Sequence, residues 1–506
     1  MCELYLAKNR DSGINSWNGK LFHCCHPGGI LNIVSVRAIS IHGHFYQPPR
    51  EDPISGLIPS EYGAKPYRNW NERIHAECYL PNAQLGNFEK ISFNIGPTLF
   101  SWMRKFDPSA SRLIVAQDQA NIHLHGVGNA MAQSYNHTIL PLASREDKIT
   151  QVEWGIADFE QQYGHRPMGM WLPETAVDME TLNVLAEHHI EYTILAPWQA
   201  ECQHLDVTEP YRVALSAGKS ITVFFYHQGL STGVSFNPSL TNNADEFVRN
   251  IILPTFLGEK EQRGEPQLLL IASDGELYGH HQHFRDRFLA HLVNGASSSV
   301  GLEKTYPSLW LKKYPPHNWV SIREGTSWSC YHGVERWKAD CGCTPGDGRW
   351  KGYLRQAFNR SAHQLDKVYA DTMRSYNIDP WRLRNSYIRV ILGQLSAEEL
   401  IYQFAGQKLE RDQVVRIRLL LEAQRERQRI FTSCGWYFDD FSRIEPRNNV
   451  AYAAQAVRLT HMATGVNLSE QLMADLYYVV SYRSSIRGDK VFQREMQKTL
   501  PVGLFH

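Results

Sequence analysis

The sequence predicts an α/β chain in two parts: a β/α domain around a parallel sheet up to about residue 345, then a helical domain. From Val36, short apolar runs rich in β-branched residues alternate with amphipathic helical stretches, the pattern of βα units. After about Arg349 the strand signals stop and only helical periodicity remains. With 43% hydrophobic and 21% charged residues over 506 positions, the chain can bury a large core. Lys+Arg 52 balances Asp+Glu 52, which excludes an electrostatic footprint for nucleic acid or an anionic membrane. The composition is rich in aromatics (Trp 13, Tyr 24, Phe 21), which suits the apolar faces of sugar rings but also plain packing.

Taken in order, residues 1–35 lack periodicity and read as an irregular extension, without the basic-then-apolar pattern of a secretory signal. Candidate strands fall at 37–42, 90–95, 168–172, 192–195, 221–226 and 268–272, each a short apolar run. Candidate helices between them are 146–162, 179–188, 244–252 and 283–292, with 295–299 read as a loop. Further on, 350–375, 381–405, 408–431 and 447–483 read as successive helices. Along 409–429 the apolar residues share one face, and the Arg/Glu/Gln run reads as the solvated one. The expected division is therefore 1–35 extension, 36–345 barrel-like domain and 346–506 helical domain. The chain stops at Leu504-Phe-His506 without a clear terminal cap, which leaves open that the polypeptide continues. No run approaches ~20 apolar residues, so no transmembrane helix is expected. Cys 9, an odd count without a secretion signal, fits reduced thiols in a cytoplasmic protein.

Three polar clusters directly follow candidate strands. IHGHFYQPPRED carries His42, His44, Gln47 and Glu51; GMWLPETAVD carries Glu174; IASDGELYGHH carries Asp274, Glu276, His280 and His281. Polar side chains at the C-terminal ends of strands occupy the active face of a β/α barrel. The chemistry built most naturally from them is glycoside hydrolysis, with one carboxyl protonating the leaving oxygen and one carboxylate attacking the anomeric centre. Glu276, two residues from Asp274, either shares its face and raises its pKa by like charge or is exposed.

The set HFYQPP, YNHTILPL, MWLPE and SDGELYGHH, in this order, resembles family-57 glycoside hydrolases, and within them the subgroup with a C-terminal helical domain of unknown function. The resemblance covers roughly residues 38–445. It implies an incomplete (β/α)7-type barrel followed by a helical bundle, and a retaining mechanism on α-linked glucan with no metal and no other cofactor. It implies Glu174 as nucleophile and Asp274 as general acid/base. It implies sugar contacts from His42, His44, Gln47, His137, Trp171, Glu276 and His280. The family's first motif is H-x-H-Q-P; here two residues separate His44 from Gln47, leaving open which His reaches the sugar. SCGWYFDD resembles the family's late motif, with Trp436 as an aromatic platform and Asp439 or Asp440 binding hydroxyls. The expected partner is a carbohydrate, not nucleic acid or a membrane.

Two other readings stand beside this one. His42, His44, Asp274, His280 and His281 could hold a metal, as in polysaccharide deacetylases. An inactive carbohydrate-binding barrel is the other. The stretch from Trp328 to Trp337, with Cys330 and His332, precedes Cys341 and Cys343; C-x-H plus C-x-C lacks the usual zinc spacing, and the cluster is similar to a Trp/His/Cys-rich loop of the same subgroup, which implies that it lines the barrel mouth. Trp70 to Arg73 is a further polar-aromatic element there.

Overall fold

In a computed structural model, residues 35–406 and 408–499 are described; the expected extension over 1–35, apart from Ser35, and the chain end beyond 499 lie outside them. The first strand, β1 (Arg37–Phe45), is central. It pairs in parallel with β2 (Ser92–Ile95) along one edge and with β8 (Gln267–Asp274) along the other. Between them in sequence come β3 (Ala132–Gln133), β4 (Met170–Trp171), β5 (Tyr192–Leu195), β6 (Tyr211–Ala214) and β7 (Ser220–Phe225). Isolated hydrogen bonds join the separate ladders. Met131 donates to Phe93 O (2.7 Å), Glu191 to Met168 O (2.8 Å), and His227 to Leu270 O (2.7 Å). The parallel strands thus follow one another in the order β1, β2, β3, β4, β5, β7, β8 around an incomplete barrel. β6 runs antiparallel on β7, and β9 (Glu303–Lys304) pairs with the start of β1.

Period-two alternation assigns each side chain to a layer. Ala38 packs inside the barrel with Met131, Trp171, Ile194, Phe224, Leu270 and Ala272. Ile39, Ile41 and Phe45 point the other way, into the layer under the helices. His42 and His44 share the inward face with Ala38. The expected strands appear, with β1 extending three residues beyond 42 and β4 shorter than 168–172. The two-residue strands β3 and β9, and β6, carry too few apolar residues to be read from the sequence. A close approach explains β3: a Cβ on Gly155 of the helix Arg145–Tyr163 would meet Gln133 O at 2.1 Å.

Several helical expectations need correction. The 295–299 loop is instead a π-turn, Leu292–Ala296, followed by Ser297–Ser299. Residues 381–405 form three short helices, Pro380–Ser386, Ile388–Ile391 and Ala397–Phe404. Gly393 takes φ +71 between the last two, and Ser396 with Glu399 forms a capping box that starts a new helix. Residues 447–483 divide after Ile444–Thr464, where Gly465 adopts φ +74, before Ser469–Leu476. The Arg/Glu/Gln run of Arg411–Arg429 is not a solvated face: Gln424, Glu426, Arg427 and Gln428 are buried. Among the described residues, no helix is long and apolar enough to cross a membrane.

That burial has a partner on the barrel side. Asp147, in Arg145–Tyr163, accepts from Arg427 Nη1 at 2.6 Å and Gln428 Nε2 at 2.8 Å, with Arg384 Nη2 at 3.2 Å. Burial opposes its ionisation, yet Arg427 and Arg384 outweigh it and hold the carboxyl below its usual range. Trp154 Nε1–H and Thr150 Oγ1 bond to Asn385 alongside. Asp147→Asn would leave two buried guanidinium groups short of charge, and should cost about 3–5 kcal/mol of stability in denaturant unfolding. A loss within experimental error would show that the ion cluster does not hold the helical region to the barrel.

Candidate active site

The cleft opens at the C-terminal ends of the strands, with a volume of about 1160 Å³, between the barrel and the helical region. Glu174 reaches it from the turn Pro173–Thr175 that follows β4. Its backbone is left-handed (φ 58, ψ 21), a conformation a non-glycine residue keeps only where its surroundings enforce it. They do so here. Trp328 N–H donates to Glu174 O (3.0 Å), Val177 N–H to Thr326 O (3.0 Å), and Gly325 N–H to Val177 O (2.9 Å). The same segment binds the side chain: Trp328 Nε1–H and Ser329 Oγ–H donate to Glu174 Oε2 at 2.9 and 2.7 Å. Burial raises the Glu174 pKa; Ser329, Trp328 and the charge of Arg336 oppose that rise.

Asp274 closes β8 on the same inward face as Leu270 and Ala272, and opens onto the cleft. Among the described residues no donor hydrogen-bonds its carboxyl. The surrounding protein, then the charge of Glu174, push its pKa up to about 7. Glu276 is buried, accepting from Tyr79 Oη (2.6 Å) and Tyr46 N–H (3.0 Å). Burial pushes it up to about 8, with Tyr79's hydrogen bond opposing and Asp274 adding. Of the two alternatives for Glu276 in the sequence, exposure is excluded. The like charge acting on Asp274 comes from Glu174.

The histidines form a buried chain. Ser433 Oγ lies 2.6 Å from His137 Nδ1, His137 Nε2 lies 3.2 Å from His44 Nε2, and Asn94 bridges His44 to His42. His42 Nδ1 ends the chain on Ser92 Oγ at 2.9 Å. Burial lowers His42 to about 3 and His44 to about 4, and takes His137 well below the usual range, so all three are neutral near pH 7. His44 and His137 line the cleft; His42 sits deeper, stacked on Trp171 at 4.6 Å.

The remaining predicted residues divide between cleft and core. Gln47, His280, His281, Trp70 and Trp328 line the cleft, His280 held by Glu77 at 2.5 Å. Trp171 does not: it is fully buried inside the barrel. Trp436 is equally buried, under Arg355 at 4.1 Å, with its Nε1–H on Lys351 O. Asp439 pairs with Arg483, and Asp440 binds Ser481 and Ser442, both away from the cleft. Their neighbours Cys434, Tyr437 and Phe438 face it instead. Sequence reasoning also missed Trp198, Phe236, Tyr331 and Arg336 as lining residues. Tyr331 and Arg336 lay inside a stretch already marked as mouth-lining, whereas Trp198 and Phe236 carried no signal. Among the described residues, His42, His44, Asp274, His280 and His281 do not gather into a metal-ligand set; the grouping that does is Cys330, His332, Cys341 and Cys343.

The family model "Glycosyl hydrolase family 57" matches residues 61–323, and "Domain of unknown function (DUF3536)" matches 347–500. No curated protein matches the chain. Among solved structures, the fold is similar to an exo-type maltose-forming amylase from Pyrococcus sp. ST04. The TM-score is 0.70 at 15% identity, over 92% of this chain and 89% of that one. It is also similar to a GH57-type branching enzyme from Pyrococcus horikoshii, with TM-score 0.62 at 13% identity, covering 92% and 98%. A 4-alpha-glucanotransferase from Thermococcus litoralis gives TM-score 0.54 at 15% identity, covering 84% of this chain and 60% of that one. At these identities the likeness is one of fold. The family model alone spans more than half of the 506 residues, and on that match the chain belongs to glycosyl hydrolase family 57.

Proposed function

We propose that the protein is a retaining glycosidase or transglycosylase of the cytoplasm, acting on α-linked glucan through Glu174 and Asp274. The observation that carries this reading is the contrast between two carboxyls on one cleft. Glu174 is held by two donors that favour its charged form, whereas Asp274 has none and titrates near neutrality. The amylase, branching enzyme and glucanotransferase named among the similar folds support the substrate class. We also read 36–345 as the catalytic domain and 346–506 as a helical domain that completes the cleft.

In the first step Asp274 transfers its proton to the glycosidic oxygen as Glu174 attacks the anomeric carbon, forming a glycosyl ester and releasing the aglycone. Esterification removes the negative charge of Glu174, and with it one cause of the raised Asp274 pKa. Asp274 then becomes the stronger acid, and its carboxylate takes a proton from water or a sugar hydroxyl that displaces Glu174. Whether hydrolysis or transfer follows depends on which acceptor fills the cleft, where Trp198, Tyr331 and Tyr437 offer aromatic faces.

The test is a turnover screen over α-glucans and aryl α-glycosides, with Glu174→Ala as the control. Glucan binding without turnover by the wild-type chain would make it a binding protein instead. For an active substrate, kcat/KM should fall as pH rises through about 7, where Asp274 loses the proton it donates. It should fall again on the acid side, where Glu174 becomes protonated, at a pH above the ordinary carboxylate range. Asp274→Asn should lower kcat by about 10²–10⁴ and abolish the basic limb. Glu174→Ala should cost at least as much, with azide restoring turnover as a glycosyl azide of inverted configuration. Wild-type rates in either variant would sink the assignment. Ser329→Ala removes a donor to the Glu174 carboxylate, so the acid limb should move to higher pH while the basic limb stays near 7; an unmoved acid limb would show that Ser329 does not tune the nucleophile.

A further inference from the structure

The loop that follows Trp328 and Ser329 brings soft ligands together. Cys330 Sγ lies 3.8 Å from Cys343 Sγ, and Cys343 Sγ lies 3.4 Å from His332 Nδ1. The ligand atoms of Cys330, His332, Cys341 and Cys343 all fall within 4.8 Å of one another. Tetrahedral zinc, with bonds of ~2.3 Å to sulfur and ~2.0–2.1 Å to nitrogen, sets its ligand atoms about 3.5–3.8 Å apart. The Cys330–Cys343 pair already has that spacing, and the Cys343–His332 pair is within about 0.1 Å of it.

The local backbone explains how two one-residue spacings converge. Gly342, between Cys341 and Cys343, has φ +70, and its N–H is held by Asp340 Oδ1 at 3.0 Å, while Asp340 Oδ2 accepts from Gly348 N–H at 3.1 Å. Gly333, after His332, has φ +75, and a Cβ there would meet Gly325 O at 2.2 Å. The first turn brings Cys341 and Cys343 to one side. The second packs the Cys330–His332 arm onto the strand-like segment that holds Glu174. Cys330 is buried, Cys341 and Cys343 are half-buried and His332 is exposed, so the cluster is anchored in protein on one side and reachable from solvent on the other.

We propose that Cys330, His332, Cys341 and Cys343 bind a structural Zn²⁺ ion. Four protein ligands leave no open position, which marks the site as structural rather than catalytic, and three thiolates with one imidazole suit zinc over hard cations. The ion ties both arms of the loop between Ser329 and Thr344. It thereby fixes Trp328 and Ser329 on Glu174, and Tyr331 and Arg336 at the cleft. The site stands whatever sugar the cleft accepts.

The experiment loads the reduced full-length chain with Zn²⁺, removes excess metal by dialysis, and measures zinc content and zinc-edge X-ray absorption. The expected result is about one zinc per chain, with three sulfurs at ~2.3 Å and one nitrogen at ~2.0–2.1 Å. Cys341→Ser/Cys343→Ser should reduce zinc to background. Because His332 is exposed, His332→Ala should leave the fold intact, replace the nitrogen in the shell and release zinc faster to a chelator. A wild-type chain that retains no zinc overturns the site, as does a shell of nitrogen and oxygen alone. Stoichiometric zinc retained by the double serine variant overturns it too.

Discussion

The grip of residues 325–329 on the turn at Glu174 is the constraint on which the rest of the site depends. A non-glycine residue at φ 58 does not hold that conformation by itself. The backbone pairing of Val177 with Thr326, and of Glu174 O with Trp328 N–H, holds it there. The same short segment then supplies both donors to the carboxylate. Orientation and charge of the candidate nucleophile therefore come from one piece of chain outside the barrel. This is why the loop beyond Ser329 matters to chemistry in which none of its cysteines takes part.

The second constraint is electrostatic. The surrounding protein raises the pKa of both Glu174 and Asp274, and two neutral carboxylic acids would do nothing. Donors placed on one carboxylate only break that symmetry. Ser329 and Trp328 oppose the rise at Glu174, and the charge of Glu174 adds to the rise at Asp274. The neutral histidine chain behind them adds hydrogen-bonding capacity without adding positive charge, which would pull Asp274 back toward ordinary acidity.

Much of this frame was legible in the sequence, because strands and strand-end polar residues are local features. The run at 192–195 reads as the strand that forms, and Glu174 and Asp274 each follow an apolar run directly. Depth along a strand was not legible. His42 and His44 share one inward face, but two residues of rise, about 6–7 Å, separate a barrel-interior ring from one at the mouth. Trp171 falls to the interior for the same reason. Helical phase was not legible either: in SCGWYFDD the residues facing the cleft are Cys434, Tyr437 and Phe438, while Trp436 and Asp439 turn away. Nor does composition distinguish a solvated charged face from an interface. Arg427 is buried because Asp147 and Asp366, far away in sequence, supply its counter-charges.

That interface also explains why the barrel can remain open. Isolated hydrogen bonds, not continuous ladders, join β2 to β3, β4 to β5 and β7 to β8, so the sheet alone gives the mouth little rigidity. The helical region supplies what the sheet lacks. Asp147 fixes the helix behind β3 to Arg384 and Arg427, and Ser433, in the helical region, fixes His137, itself left-handed at φ 54. Ser433 N–H donates to His137 O as well, so backbone and side chain are held by the same residue. One wall of the cleft is therefore barrel and the other helix, joined through His137 on one side and through the loop after Trp328 on the other. A barrel separated from its helical region would lose the second wall of the cleft and the partner that holds His137 in position.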